Sequence, residues 1–257
     1  MNKPWHRRAC WLLMVAAALA LPPACFAQVK VIVSGGFWAA SGELLPEFEK
    51  TTGINVQATL GKSQGSGPDN IGAQLRRGVP ADVVMMSKEG LADLMAEGAV
   101  AKETEVDLAQ TPLGVAVRAG APKPDISTVD AFKKAMLRAS SITFPNSTTG
   151  IYLATKLFPQ LGIAGEIAGK TTNTGVAAVA KGDAEIAIQP VSELLHIPGA
   201  DFVGTIPAEI QYISVFSVAM VARSKEPEAA KRLIAFLSSK NAASAITKSG
   251  MEPSSSR

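Results

Sequence analysis

The chain has 257 residues, 47% hydrophobic, 5% aromatic and 18% charged, with 25 basic residues, 22 acidic residues and two cysteines. That much apolar content excludes a disordered chain, and the balance of Gly, Pro and apolar residues is that of a globular α/β protein. The apparent excess of three positive charges and both cysteines lie within the first 27 residues, so the remainder carries neither.

The opening MNKPWHRRAC holds Lys3, Arg7 and Arg8 and no acid. An uncharged, mostly apolar run over 9–21 follows, then Pro22-Pro23 and the small residues Cys25 and Ala27 around Phe26. A basic stretch, a short apolar stretch and a small-x-small site in that order predict a signal peptide over 1–27, cleaved after Ala27, and a periplasmic protein. The apolar run is shorter than the ~20 residues that a membrane-spanning helix needs. Cys25 as a lipidation site has a poor lead-in in Pro22-Pro23-Ala24. Residues 28–257 then contain no cysteine, one histidine (His196) and equal numbers of acids and bases. Disulfides, thiol catalysis and His/Cys zinc sites drop out. So does nucleic-acid binding through net positive charge. No metal and no cofactor are expected.

Strands and helices alternate along the rest. VKVIVS (29–34) is a β-rich run ending at Gly35-Gly36, followed by a helical pattern over 38–50 closed by Gly53. INVQATL (54–60) alternates as a strand and leads into the polar loop GKSQGSG. Asp69 can cap a helix running through Arg77, ADVVMMS is a buried-type strand, and 88–97 is a helix stopped by Gly98. TPLGVAVRAG reads as a strand. Ser127 or Thr128 caps a helix over 129–138, and short segments at 142–144, 151–158, 175–181, 186–189 and 191–196 continue the alternation. A long apolar strand over 213–222 and helices over 227–238 and 241–249 finish the chain. Such alternation predicts mostly parallel sheets covered by helices.

Ligands of such folds bind beyond the carboxyl ends of the strands. Those ends carry Ser34-Gly35-Gly36, then Lys62 to Gly67, then Pro145 to Gly150, then Thr171 to Gly175. Each is rich in hydroxyls and glycine and feeds a helix N-terminus, where exposed N–H groups and the helix dipole favour negative charge. One such loop is ordinary capping; four point to an anion pocket.

These segments also carry a likeness. VKVIVSGGFWAASGELLPEFEKTTGINV, GVPADVVMMS, TTGIYLATKLF and GVAAVAKGDAEIAIQPVSELL resemble, in order and spacing, the molybdate-binding-protein-like group of periplasmic solute-binding proteins. That group also includes bacterial aconitate isomerase. The resemblance covers nearly all of 28–257 and implies an α/β, two-lobed type-II periplasmic-binding-protein fold with a cleft between the lobes. Lobe 1 would comprise 28–111 and 213–257, and lobe 2 112–212, with hinge strands near 111–117 and 210–215. Molybdate binders of this group place a serine where this chain has Gly36 and a tyrosine where it has Gln189. The second loop is longer here and carries Lys62. A lysine among amide and hydroxyl donors suits a carboxylate better than a tetrahedral oxyanion. A small organic polycarboxylate is therefore the expected ligand.

The ligand contacts expected are Gly36 through its N–H, Lys62 through its charge, Ser66 and Thr149 through their hydroxyls, Thr172 through backbone and hydroxyl, and Gln189 through its amide. Lys62 is otherwise a solvated charge, and Ser63 competes with Ser66 for one role. Lys88, Arg76 and Arg77 read as surface charges, His196 as a surface or packing residue, and Met85-Met86 as core. Tyr152 reads equally as core or cleft. Two functions remain, of which the receptor is the expected one and the enzyme the alternative. One is a monomeric receptor that passes its anion to an ABC-type permease by closing around it. The other is a periplasmic isomerase of the aconitate isomerase type, working by an allylic proton shift. Lys62, Tyr152, Glu193 or His196 could serve as its base, and no spacing singles one out. Metal-ligand spacings are absent from the sequence.

Overall fold

A computed structural model describes residues 28–195 and 197–254. The expected signal peptide and His196 lie outside the described residues. The first strand, β1 (Gln28–Ser34), pairs in parallel with β2 (Asn55–Gly61) and β3 (Val83–Ser87), and each strand end feeds the next helix or loop. Helix α1 (Gly35–Thr52) starts directly after β1 and ends on Gly53, whose φ of 72° is a left-handed turn that glycine adopts without strain. Helix α2 (Ile71–Arg76) is capped by Asn70, not Asp69: the Asn70 side chain accepts from the Ala73 N–H at 2.8 Å. Helix α3 (Lys88–Ala96) begins at Ser87, which accepts from the Gly90 N–H.

The chain then enters β4 (Val106–Arg118), a 13-residue strand that begins well before the predicted TPLGVAVRAG segment. Beyond it come α4 (Val129–Arg138), capped by Thr128, and β5 (Ile142–Thr143). Helix α5 (Thr148–Tyr152) widens into a π-helical turn (Leu153–Leu157) and continues as α6 (Phe158–Gln160). Then follow α7 (Ala164–Ile167), β6 (Thr171–Thr172), α8 (Val176–Lys181), β7 (Ile186–Pro190) and α9 (Val191–Leu194). Strand β8 (Ala200–Thr205) has no counterpart in the sequence reading. The chain returns through β9 (Ile213–Met220), α10 (Pro227–Leu237), α11 (Ala243–Lys248) and β10 (Glu252–Pro253).

The strand order β2-β1-β3-β9-β4-β7-β5-β6 makes one curled sheet, with β8 and β10 joined to β4. The pairs β1/β2, β1/β3, β5/β6 and β5/β7 are parallel, as alternating strands and helices predict. The strands that pass between the halves run the other way: β4 and β9 pair antiparallel with each other and with their neighbours. The same β4 pairs over its first half with β9 and over its second half with β7 and β8. Apolar packing follows this division. One set of core residues draws on 29–109 and 216–251, around Phe37, Phe48 and Leu233. Another draws only on 113–210, around Phe132, Met136 and Ile188. The fold is thus α/β with two lobes, each with its own core, and a cleft where the carboxyl ends of β1, β2 and β3 face α5 and α9. Among the described residues, no helix is long and apolar enough to cross a membrane.

Candidate functional site in the interlobe cleft

A cavity of about 230 Å³ opens at these strand ends. At ~30 Å³ per water it holds a handful of waters, the scale of a small organic acid. Ser34, Gly35, Lys62, Ser63, Ser87 and Phe216 line it from one lobe, and Ser147, Thr148, Thr149 and Glu193 from the other. A larger groove, about 790 Å³, lies at the opposite ends of β1 and β3. Three of its charged groups are engaged: Arg76 pairs with Glu97 at 2.8 Å, and Asp82 accepts from the Lys30 N–H at 2.9 Å. The smaller cavity has the chemistry.

Its walls are mostly hydroxyls. Ser34 is 3% exposed, and its Oγ has no hydrogen-bond partner among the described residues. A buried hydroxyl normally finds a partner, so this one is available to a ligand. Ser63 Oγ accepts from the Ser87 N–H at 2.9 Å, which holds the Lys62 loop against the end of β3. Three hydrogen-bonded contacts tie the lobes together. Ser87 and Thr148 share a hydroxyl pair at 2.7 Å, Asn146 Nδ2 donates to Ser66 at 3.2 Å, and Tyr212 Oη donates to Glu89 at 2.5 Å. Tyr212 also stacks on Tyr152, with ring centroids 4.4 Å apart. The cleft is therefore closed.

Among these hydroxyls stands one acid. Glu193 sits on α9, directly after β7, half-buried in the cleft wall. Burial disfavours its charge and the Gln189 amide favours it; burial dominates, so its carboxyl is pushed up from 4.5 to about 7. Gln189 Nε2 donates to Glu193 Oε2 at 2.5 Å, while Gln189 Oε1 accepts from the Val176 N–H at the start of α8. A side chain on Gly35 would meet Glu193 Oε1 at 3.4 Å, so the first residue of α1 faces this carboxyl.

The expected contacts distribute unevenly. Lys62 and Thr149 line the cavity, and Thr149 is 3% exposed. Lys62 Nζ also pairs with Asp69 at 2.9 Å, so its charge is shared. Gly36, Ser66, Thr172 and Gln189 are not among the lining residues. Gly36 is glycine for a packing reason: a Cβ there would lie 1.9 Å from Phe216 Cζ. The ring of Phe216 occupies the space that a side chain on Gly36 would need, and it faces the cavity itself. Ser66 is an exposed loop residue held by Asn146. Thr172 is the exposed last residue of β6, its hydroxyl 3.3 Å from Thr174 Oγ1, which in turn lies 3.1 Å from Thr143 Oγ1. Gln189 lies behind Glu193. Ser34 and Ser87 were missed. Their signal was available, because each is the last residue of a strand that feeds a helix directly. Among the described residues, no cluster of three or more His, Cys, Asp or Glu is placed to hold a metal ion.

Residues 29–252 match the bacterial extracellular solute-binding protein family, and the chain belongs to it. Within reach of that family, it is 41% identical over 250 residues to a protein named aconitate isomerase from Pseudomonas sp, covering 94% of this chain and 95% of that one. Its fold matches the periplasmic molybdate-binding protein of Azotobacter vinelandii, with a TM-score of 0.69 and 19% identity, over 87% of this chain and 98% of that one. It also matches the sulfate-binding protein SubI of Mycobacterium tuberculosis H37Rv, with a TM-score of 0.69 and 18% identity, over 89% and 88% of the two chains.

Proposed function

We propose that this protein is a periplasmic isomerase of the aconitate isomerase type, binding a tricarboxylate in the interlobe cleft and shifting its double bond. The single observation that carries this reading is the Glu193 carboxyl, held in the cleft wall and pushed up to about 7. A receptor for a polyanion gains nothing from an acid in its pocket, since like charges repel and the desolvated carboxyl must be neutralised. A proton-transfer enzyme working near neutrality needs such a group. The likeness to the Pseudomonas protein supports the same reading and names the substrate class.

In this reading the ionised Glu193 takes a proton from the substrate methylene. The C–H electron pair becomes the new double bond, and the old double-bond pair moves to the far carbon and its carboxylate. Glu193 returns the proton to that far carbon. The double bond has then moved one position, and the conformation held about the bond that becomes double sets the cis or trans outcome. Ser34 and Thr149 hydroxyls, with Lys62, would hold the carboxylates and take up the charge that develops on them.

The test is incubation of the purified protein with cis-aconitate and, separately, trans-aconitate, followed by chromatography. Interconversion is expected, and Glu193→Gln should lower turnover by about three orders of magnitude, within the usual reach of a general base. The rate constant kcat/KM should rise with pH through about 7, as Glu193 ionises, and then level. Tight binding of either acid with the ligand recovered unchanged would sink the isomerase reading and leave a receptor that delivers its anion to a transporter.

A further inference from the structure

We infer that Gln189 is a positioning residue for Glu193: its amide fixes Oε2 as a permanent acceptor and leaves Oε1, facing Gly35, as the oxygen that carries the substrate proton. This rests on the reading of Glu193 as the proton carrier. The Val176 backbone N–H can only donate, and Gln189 is its acceptor. The amide oxygen must therefore point at Val176, and the NH₂ group must point the other way, at Glu193 Oε2. Gln189 is 4% exposed and has no room to turn over. A flipped amide would set NH₂ against N–H and oxygen against carboxylate, two repulsive contacts in a buried place.

Two consequences follow for the acid. Oε2 accepts from the amide whether or not Glu193 is charged, so the exchangeable proton resides on Oε1. Oε1 is also the oxygen nearest the first residue of α1, where glycine keeps the approach open. The Gln189 donor favours the ionised form against burial, and without it the carboxyl would keep its proton to higher pH. The chain achieves this over one short stretch: Gln189 ends β7, Pro190 turns the backbone, and Glu193 comes round on the first turn of α9.

Gln189→Glu keeps an acceptor for Val176 and replaces the amide donor with a carboxyl that titrates as a coupled pair with Glu193. Glu193 should titrate about one to two units higher, read by carbon NMR of the labelled side chain in the full-length mature protein without ligand. With aconitate, the acidic limb of kcat/KM should move up equally, and kcat should fall about tenfold or more at neutral pH with KM within about threefold. Gln189→Met, which removes both partners, should show the same titration shift. If the Glu193 titration is unmoved in both folded variants, the positioning role is overturned. The ligand-free titration stands apart from turnover. A shifted titration in a protein that does not convert aconitate keeps the Gln189–Glu193 contact and rejects the isomerase.

Discussion

The carboxyl of Glu193 has a cost at the level of a single side chain. Its folded pKa of about 7 lies above the ordinary 4.5. Below 4.5 both folded and unfolded chains hold the proton, and the group is neutral to stability. Between 4.5 and 7 the unfolded chain releases it while the folded chain retains it, so stability falls as pH rises. Above 7 the full cost of the buried charge remains. Glu193→Gln is therefore expected to raise the melting temperature at pH 8, by ~2–4 °C for each kcal/mol relieved, and to leave it unchanged at pH 4. A variant that gains stability while losing turnover is what an acid kept for chemistry predicts. The sequence holds part of this. Glu193 could be named as one base among four, but only the folded chain sets it against Gln189 and Gly35. Gly36 teaches the converse: the departure from serine was visible, but Phe216, 180 positions away, is what makes it necessary.

Elements were the most legible scale. β1, α1, β3, α3, α4 and α10 fall within a few residues of their predicted bounds, because each has a clear apolar period and a cap or glycine at its end. β8 escaped because ADFVGT offers neither clean alternation nor an apolar run, and it pairs only with β4. β4 was read short because its first half, VDLAQ, carries an acid whose partners are distant: Asp107 bonds Ser217 at 2.6 Å and Lys88 at 2.6 Å. One buried acid ties several elements at once. Asp82, just ahead of β3, accepts from the Lys30 N–H of β1, from Ser224 Oγ at 2.8 Å, and from the N–H groups of Lys225 and Glu226 ahead of α10. Burial alone would raise its pKa, but these donors together bring it below the ordinary value. Asp82→Ala is expected to cost about 2–3 kcal/mol, the range for hydrogen bonds to a charged acceptor, measured by urea unfolding at pH 7. The difference from the native chain should persist at pH values above the ordinary carboxylate pKa. It should shrink as acid protonates Asp82 through its lowered folded value.

At the scale of the whole molecule, three polar contacts join the two lobes across the cleft: Ser87 with Thr148, Asn146 with Ser66, and Tyr212 with Glu89. Such contacts exchange readily for water, so closure is held lightly and can be reopened. Removing two of them, with Asn146→Ala and Tyr212→Phe together, should shift the ligand-free protein towards open forms. Small-angle scattering should then report a larger radius of gyration, and ligand affinity should fall about fivefold or more, with the melting temperature little changed.

The placement of β9 has a consequence for how the molecule comes into being. It lies between β3 and β4 in the sheet, although well over a hundred residues separate it from β3 and more than ninety from β4 in the chain. The core around Phe37 therefore waits for residues 216–251, whereas the core around Phe132 is complete by residue 210. During synthesis the half that emerges first must remain unfinished longest, with β3 and β4 lacking the strand that joins them. A chain so ordered stays threadable until its last fifth is made, a property that suits passage through a narrow pore before folding.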